Sequence, residues 1–482
     1  MLNKMSFFVF LVVLPAISTA QFISIKTVPV ATGDQFSLFP SRNASMAGLS
    51  VVLEDPLLDP FINPAKGSLI EGMQFFASPV YYGISFKLTS AKSSGLSLPL
   101  GILLHSKNFF GGLVLARQEL TISQRLSIQN VSGRLTFGGS NNVTTPNNNY
   151  TFIMAGRKLP GTDISIGASV FWADLNAIDG VQHLYFNSVD IKQSGSMAQY
   201  RLGAFAPLDE GRSAELLLMR HQFKMTHDVS SLVLSQSEFP QTTTERHLDE
   251  TEGWAVRVGY REPLGKKWTL GLQLTGNWKS HPKIPNYSLM NIPRDPGNSS
   301  AYNLGIGFAR HGEKGFSAVE YIYEPIWSHT WADANTIIPT ATGKILQPGQ
   351  KTVENHFRFS NSIFRVGFHG GIDRSGLDFG LQLHSITYQL NQYNFVEERH
   401  GNMKDSWNEW TITSGFTLTY SGFDIRYGGI LTIGTGEPLV ETASRNATDG
   451  SSPDLLIALR RPISVSDAWV LTHQVSLIVQ LD

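Results

Sequence analysis

In the stretch WTITSGFTLTY, residues 410–420, large apolar side chains recur at almost every second position. Trp410, Ile412 and Phe416 share one face of an extended chain, whereas threonine and glycine occupy the other face. The same period recurs at residues 164–172, 254–261, 269–278, 302–309, 364–369 and 423–433. A period of two differs from the 3.6-residue period of an amphipathic helix. The sequence therefore predicts an all-β protein with many half-buried strands.

The length of these runs separates two β architectures. Several runs persist for about ten residues, the length that a tilted strand needs to cross a bilayer, whereas strands of a soluble sandwich average five or six. The opposite face carries small polar residues and isolated charges, which suits a polar interior. We therefore predict a transmembrane antiparallel β-barrel. Its expected lumen-facing charges are Arg257, Arg261, Glu320, Glu324, Arg365, Asp378, Asp424 and Arg426.

Short and long connections between the runs indicate the topology. Short turns are predicted at residues 207–212, 262–267, 311–315, 373–376 and 421–422, and long polar segments at 138–149, 230–253, 279–299, 335–351, 397–406 and 436–452. Outer-membrane barrels combine tight periplasmic turns with longer external loops. The runs give about 14 to 16 strands. Pro99 and Gly111-Gly112 interrupt residues 96–120, so the count leaves that region open.

The two ends of the chain also fit a barrel. Residues 469–481 alternate to the end and can pair with a first strand near residues 73–86, which would close the sheet. At the other end, residues 1–20 combine Lys4, an apolar core and the small residues Ser18-Thr19-Ala20, which predicts a cleaved secretory signal peptide. No later run has about 18 consecutive apolar residues, so transmembrane helices are not expected.

Composition narrows the class further. The 482 residues carry a net charge of −1 and no cysteine. A neutral balance offers no basic face for nucleic acid, and an exported chain without cysteine has no disulfide scaffold. Export without disulfides fits the Gram-negative outer membrane, where membrane lipid would be a partner.

One segment departs from the alternating pattern: SRNASMAGLSVVLEDPLLDPFINPAKG, residues 41–67. Proline follows Asp55, Asp59 and Asn63, and it forces each of these residues toward extended or turn geometry. The segment is therefore expected to be compact and irregular. We divide the chain into a signal peptide at residues 1–20, an N-terminal luminal plug at 21–71 and a barrel at 72–482.

This segment also carries a family resemblance. Its residues Arg42, Met46, Gly48, Asn63, Pro64 and Ala65 form a set that is similar to the N-terminal signature of FadL-type outer-membrane transporters of hydrophobic compounds. The resemblance implies 14 strands, a plug that folds into the lumen, and passive uptake of hydrophobic molecules such as long-chain fatty acids. The PorV/PorQ-type barrels of type IX secretion share the set, often with a lysine such as Lys66 after the alanine. They imply an alternative, a non-transporting barrel that docks secreted proteins; a general porin is a third alternative.

Few of the remaining residues could act in catalysis or bind a metal. The pairs His221 with His227 and His369 with His384 could supply metal ligands, but the histidines are scattered and lack a fixed ligand spacing. Glu320 and Glu324 could act as acid and base, yet pairing of lumen charges explains them more simply. The chain carries no nucleophile elbow, phosphate loop or dinucleotide fingerprint. We therefore predict a protein that is not an enzyme and has no cofactor or metal.

Overall fold

The computed structural model describes residues 26–87, 92–125, 141–183, 188–234, 240–281, 297–334, 336–372, 374–438 and 465–481. The predicted signal peptide lies outside the described residues, as do large parts of the long segments predicted at 279–299 and 436–452. Within the described ranges, no helix has the length and apolar character needed to cross a membrane.

Most of the described chain is antiparallel strand. The strands are β1 Met73–Ala77, β2 Val80–Phe86, β3 Lys92–Ser106, β4 Phe109–Arg125, β5 Asn141–Thr144, β6 Asn147–Lys158, β7 Ser165–Leu175, β8 Ser188–Pro207, β9 Ser213–Leu234, β10 Pro240–Leu264, β11 Trp268–His281, β12 Gly297–His311, β13 Gly315–Asp333, β14 Ile338–Pro339, β15 Ile345–Leu346, β16 Lys351–Ile372, β17 Ser375–Asn394, β18 Arg399–Tyr420, β19 Phe423–Pro438 and β20 Val465–Leu481. One α-helix, α1, spans Asp59–Ile62. Short 3-10 helices span Asn43–Met46, Pro64–Leu69, Val181–His183 and Asp209–Gly211.

The sheet closes into a barrel. The strands of the barrel follow one another in chain order as antiparallel neighbours, with β1 and β2 both paired to β3, and β20 pairs back with β1 and β2, as the sequence predicted. Among the described residues the sheet has 18 strands, but β1 and β2 share one position and β5 and β6 share another, so the barrel has sixteen positions. The predicted count of 14 is therefore wrong, and the upper end of the predicted range is right.

The strands around Pro99 are continuous, although the sequence left their number open. β3 runs unbroken through Pro99, and β4 runs unbroken through Gly111-Gly112. The Ser78 N–H donates to the Pro99 carbonyl at 3.1 Å, at the gap between β1 and β2. Proline lacks an N–H. The edge of β3 on which the Pro99 N–H would lie faces the break between β1 and β2, so β3 continues through Pro99.

The outward face of the barrel is an apolar band. The burial of β7 alternates at every residue, and the outward side chains of β11 include Leu272, which is 41% exposed. Trp268 and Trp278 lie at the two ends of this outward row. Ten residues of strand span about 33 Å, and a tilt of about 40° reduces this to about 25 Å, the height of the apolar band of outer-membrane barrels.

The connections agree with the predicted short turns but not with all of the long segments. Each predicted short turn lies between two paired strands. The long segments predicted at 230–253 and 397–406 are wrong, because β9 and β10 continue to residues 234 and 240 and β18 begins at Arg399. These strands extend beyond the apolar band, where polar residues occupy both faces and composition no longer distinguishes strand from loop.

Residues 26–70, which we call the N-terminal segment, fold as a compact irregular piece. The Asp55 carboxylate organises it by accepting hydrogen bonds from the Ser41 hydroxyl at 2.6 Å and from the Asn43 and Leu57 amides at 3.0 and 3.1 Å. Burial raises the pKa of Asp55, and these hydrogen bonds oppose that shift. The segment also packs apolar side chains against the wall, with Phe61 in contact with strand residues of one large core.

Candidate functional site

Glycines on the inner face of the wall mark where the N-terminal segment touches the barrel. A Cβ atom added at Gly380 in β17 would lie 2.3 Å from the Ala47 nitrogen, and one added at Gly167 in β7 would lie 2.6 Å from the Pro64 carbonyl carbon. Only glycine permits such an approach of two backbones. Since β7 and β17 are on opposite sides of the sixteen positions, the segment crosses the interior. Both glycines lie near short turns, so the segment lies toward the end of the barrel that carries the short turns.

Glu320 in β13 binds three consecutive backbone amides of the segment. Its Oε1 accepts hydrogen bonds from the N–H groups of Ser50, Val51 and Val52 at 2.9, 2.6 and 2.9 Å. The residue is 1% exposed. Hydrogen bonds to an ionised acceptor are stronger than neutral ones, so a buried wall carboxylate fixes the course of residues 50–52.

Two arginines of the wall bind carbonyl groups of the same part of the segment. Arg261 donates to the Leu53 carbonyl at 2.9 Å and to the Glu54 carboxylate at 2.9 Å. Arg365 donates to the Gly48 carbonyl at 3.0 Å and lies 3.8 Å from Glu320. We call Glu320, Arg261 and Arg365 the wall clamp, because together they bind the backbone of residues 48–53 from three strands.

A second polar group holds the Asn63-Pro64-Ala65 turn. Lys66 is 2% exposed and lies 2.9 Å from Asp59 and 3.0 Å from Glu215 of β9. Glu215 also pairs with Arg257 at 3.1 Å and accepts a hydrogen bond from the Asn63 side-chain Nδ2 at 3.3 Å. The Asn63 side chain accepts from the Ala65 amide at 3.2 Å, which caps the following 3-10 helix. The ionised groups are thus paired and hydrogen-bonded, as buried charges must be.

A third contact lies near residue 45. The Asp378 carboxylate accepts hydrogen bonds from the Ser45 hydroxyl at 2.9 Å and lies 2.7 Å from His369. Thr413 accepts from the Ala47 amide at 2.9 Å and donates to the Ser45 carbonyl at 2.8 Å. The wall therefore binds the segment mainly through its backbone here as well.

The structure brings together most of the residues that the sequence selected. Met46 and Ala65 are fully buried in the segment, Gly48 has a φ of 67°, and Arg42 lies over the Phe316 ring at 5.4 Å. The four other selected charges contact wall residues instead, and Arg257 pairs with Glu215 at 3.1 Å. Glu324 accepts a hydrogen bond from Asn303 at 2.9 Å, and Asp424 pairs with Arg426 at 3.2 Å.

The sequence missed two components of the site. Glu215 was not selected, although it joins Lys66 to Arg257. The sequence pattern placed the inner-face glycines on the polar face and predicted no contact between them and the segment. A usable signal was present, because glycine within an alternating strand marks a close backbone approach. The suggested histidine pair His369 and His384 is not brought together, since each contacts a different carboxylate.

Apolar side chains line the inner face at the other end of the barrel. We call this group the mouth cluster: Ala301, Ile326, Phe357, Phe359, Ile386, Tyr388 and Leu390. The position of the cluster along the barrel axis follows from Arg358. This residue lies between Phe357 and Phe359 in the sequence and is the cross-strand partner of the outward-facing Trp327. Tyr388 is 1% exposed and donates to the Thr27 carbonyl at 3.2 Å, which links the cluster to the start of the described N-terminal segment.

No protein-family model matches the chain, and no curated protein sequence matches it. Among solved structures, it is similar to a Pseudomonas aeruginosa FadL homologue, with a TM-score of 0.44, 10% identity and coverage of 94% of this chain and 100% of that chain. It is also similar to the Pseudomonas putida toluene transporter TodX, with a TM-score of 0.41, 11% identity and coverage of 96% and 100%. At such distances, function has to be argued from the residues of this chain.

Proposed function

We propose that the protein is an outer-membrane barrel for passive uptake of hydrophobic small molecules, long-chain fatty acids among them, and that the N-terminal segment acts as its plug. The outward band, about 25 Å high, matches the hydrocarbon core that such barrels cross. The short turns would then face the periplasm and the longer connections the outside.

The mouth cluster is the observation that carries the proposal. Inner faces of water-filled barrels are polar, whereas this cluster places phenylalanine, tyrosine and leucine on the inner face at the height of Trp327. Its members are only 1–4% exposed, so the cluster is closed. A polar solute that enters between these side chains loses its hydrogen bonds to water at a cost of about 2–7 kcal/mol for each unpaired group, whereas an apolar solute has none to lose. The cluster therefore favours hydrophobic over polar cargo.

The wall clamp determines what passage requires. The segment crosses the interior between β7 and β17, and the clamp binds its backbone at residues 48–53. A solute that moves from the mouth cluster toward the short turns therefore meets the segment. Uptake then depends on displacement of the segment, and its rate depends on the strength of the clamp.

The test is uptake by proteoliposomes that contain the purified barrel. We expect Phe359→Asp to reduce uptake of radiolabelled oleate and toluene by at least about tenfold, because a buried charge without a partner disfavours an apolar solute. Ser328→Asp is the matched control, since Ser328 is also buried on the inner face, beside the polar Ser299. Heat-modifiable migration on a gel verifies that each variant is folded.

Two outcomes would redirect the assignment. Equal uptake by wild type and Phe359→Asp, together with loss of binding to a secreted protein in a pull-down, would favour the docking barrel. Rapid flux of a labelled sugar through the wild-type barrel would favour the general porin.

A further inference from the structure

His329, Glu354 and His356 meet on the outer surface of the barrel, although neither histidine belongs to a pair suggested by the sequence. His329 in β13 and His356 in β16 are direct cross-strand partners, and Glu354 lies two residues from His356 on the same face. The two imidazole rings stack at 4.5 Å with an interplanar angle of 1°. Direct partners in an antiparallel pair have Cβ atoms about 5 Å apart, so the strand pairing itself holds the two rings together.

The spacing of the ligand atoms suits a single metal ion. The Glu354 Oε1 atom lies 2.8 Å from His329 Nε2 and 3.9 Å from His356 Nε2. One ligand atom from each of the three side chains lies within 4.8 Å of the other two. Ligands about 2.1 Å from a tetrahedral ion are about 3.4 Å from one another. Side-chain rotations that move the ligand atoms by about 1 Å would therefore complete a three-ligand site.

We propose that His329, Glu354 and His356 form a binding site for a divalent transition metal ion of the zinc or copper type. Two imidazoles and one carboxylate are ligands that these ions accept, with water in the remaining positions. The side chains are 35%, 22% and 60% exposed for His329, Glu354 and His356, so an ion can reach them from solution. His329 follows the outward Trp327 by two residues, which places the site just beyond the apolar band.

Lys351 provides a specific test of the geometry. Its ammonium group contacts the same Glu354 oxygen that would bind the ion. A metal ion must displace this ammonium group and then lies close to its positive charge. Removal of the charge in Lys351→Ala should therefore strengthen metal binding, whereas a merely damaged surface would weaken it.

The experiment uses the purified full barrel in detergent, without a histidine tag. The chain has no cysteine, so no thiolate competes for the metal. We expect isothermal titration with Zn²⁺ to give one site that is weakened at least about tenfold in His329→Ala and in His356→Ala. Lys351→Ala should tighten it about two- to fivefold, the range expected for one exposed charge. His311→Ala is the control, because this exposed histidine lies at the other end of the barrel.

Copper gives an independent readout. Trp331 lies 5.0 Å from the His329 ring, so bound Cu²⁺ should quench part of the tryptophan fluorescence, and Trp331→Phe should remove that part. Electron paramagnetic resonance should report two coordinating nitrogens. The proposal is overturned if folded wild type and the His329→Ala/His356→Ala variant bind Zn²⁺ equally, or if Lys351→Ala weakens the site.

Discussion

Glu320→Gln should release the N-terminal segment while the barrel stays folded. The glutamate accepts hydrogen bonds from the amides of Ser50, Val51 and Val52, and Arg365 lies 3.8 Å away. The amide has nearly the same volume, so packing is preserved. It loses the negative charge, however, and its NH₂ group cannot accept a hydrogen bond from the segment.

The expected size of the effect follows from two terms. Glu320→Gln weakens the hydrogen bonds of three segment amides that share one ionised oxygen; counted together as about two bonds of about 1.5–2.5 kcal/mol each, they are worth about 3–5 kcal/mol. The remaining amide oxygen keeps an acceptor for the segment, which recovers about 1 kcal/mol. About 2–4 kcal/mol of anchoring free energy is then lost. At 1.36 kcal/mol per factor of ten, the equilibrium constant for opening of the segment rises roughly 30- to 900-fold.

Hydrogen exchange read by mass spectrometry measures this opening. Ala47 is a suitable reporter because its amide donates to Thr413 rather than to Glu320. Its exchange should accelerate by the calculated factor, while amides of the strands exchange as in wild type. Glu324→Gln is the matched control, since Glu324 lies on the same strand and accepts from Asn303. Unchanged exchange at Ala47, or an equal effect of the control, would refute the role of the wall clamp.

Three further predictions concern the band, the turn and pH. Leu272→Arg should lower the free energy of unfolding by about 2–4 kcal/mol, because Leu272 faces lipid at mid-band, whereas Thr411→Arg on the inner face should cost less; urea titration in detergent measures both. Asn63→Ala removes the hydrogen bonds to Glu215 and from Ala65, so amide exchange of residues 65–69 should accelerate with the heat-modifiable gel form retained. Burial raises the pKa of Asp179, which accepts from the segment amide of residue 33. The Asp179 carboxylate therefore binds a proton more tightly in the folded state than in the unfolded state, so the segment should become more stable as pH falls from 7 toward 4. Amide exchange at Ala31, corrected for the intrinsic effect of pH, should then become slower. Asp179→Asn should reduce this pH dependence.

Local period explains what the sequence predicted well. Alternation within 254–261 or 410–420 depends only on which residues face lipid, and the short turns follow where that alternation stops. Closure followed from the alternating last strand. These properties are set by neighbours in the chain, so they can be read without knowledge of the tertiary contacts.

Strand ends and strand count depend on contacts that are distant in sequence. The part of β10 at residues 240–252 is polar on both faces, and nothing local distinguishes it from a loop. The break between β1 and β2 lies opposite Pro99 of the next position, where the Ser78 N–H still donates to the Pro99 carbonyl. Such compensation between neighbouring strands is visible only once the register is known.

The wall clamp shows why the site was harder to predict than the fold. Glu320, Arg261 and Arg365 bind mainly backbone atoms of residues 48–53, so the segment needs a particular course more than particular side chains. The chemical information therefore lies in the wall, in charges and glycines spread over distant strands. A motif within the segment can mark its turns, as Asn63-Pro64-Ala65 does, but it cannot indicate which wall groups hold it. For this reason, changes in the wall should alter opening of the segment more strongly than most side-chain changes within residues 48–53.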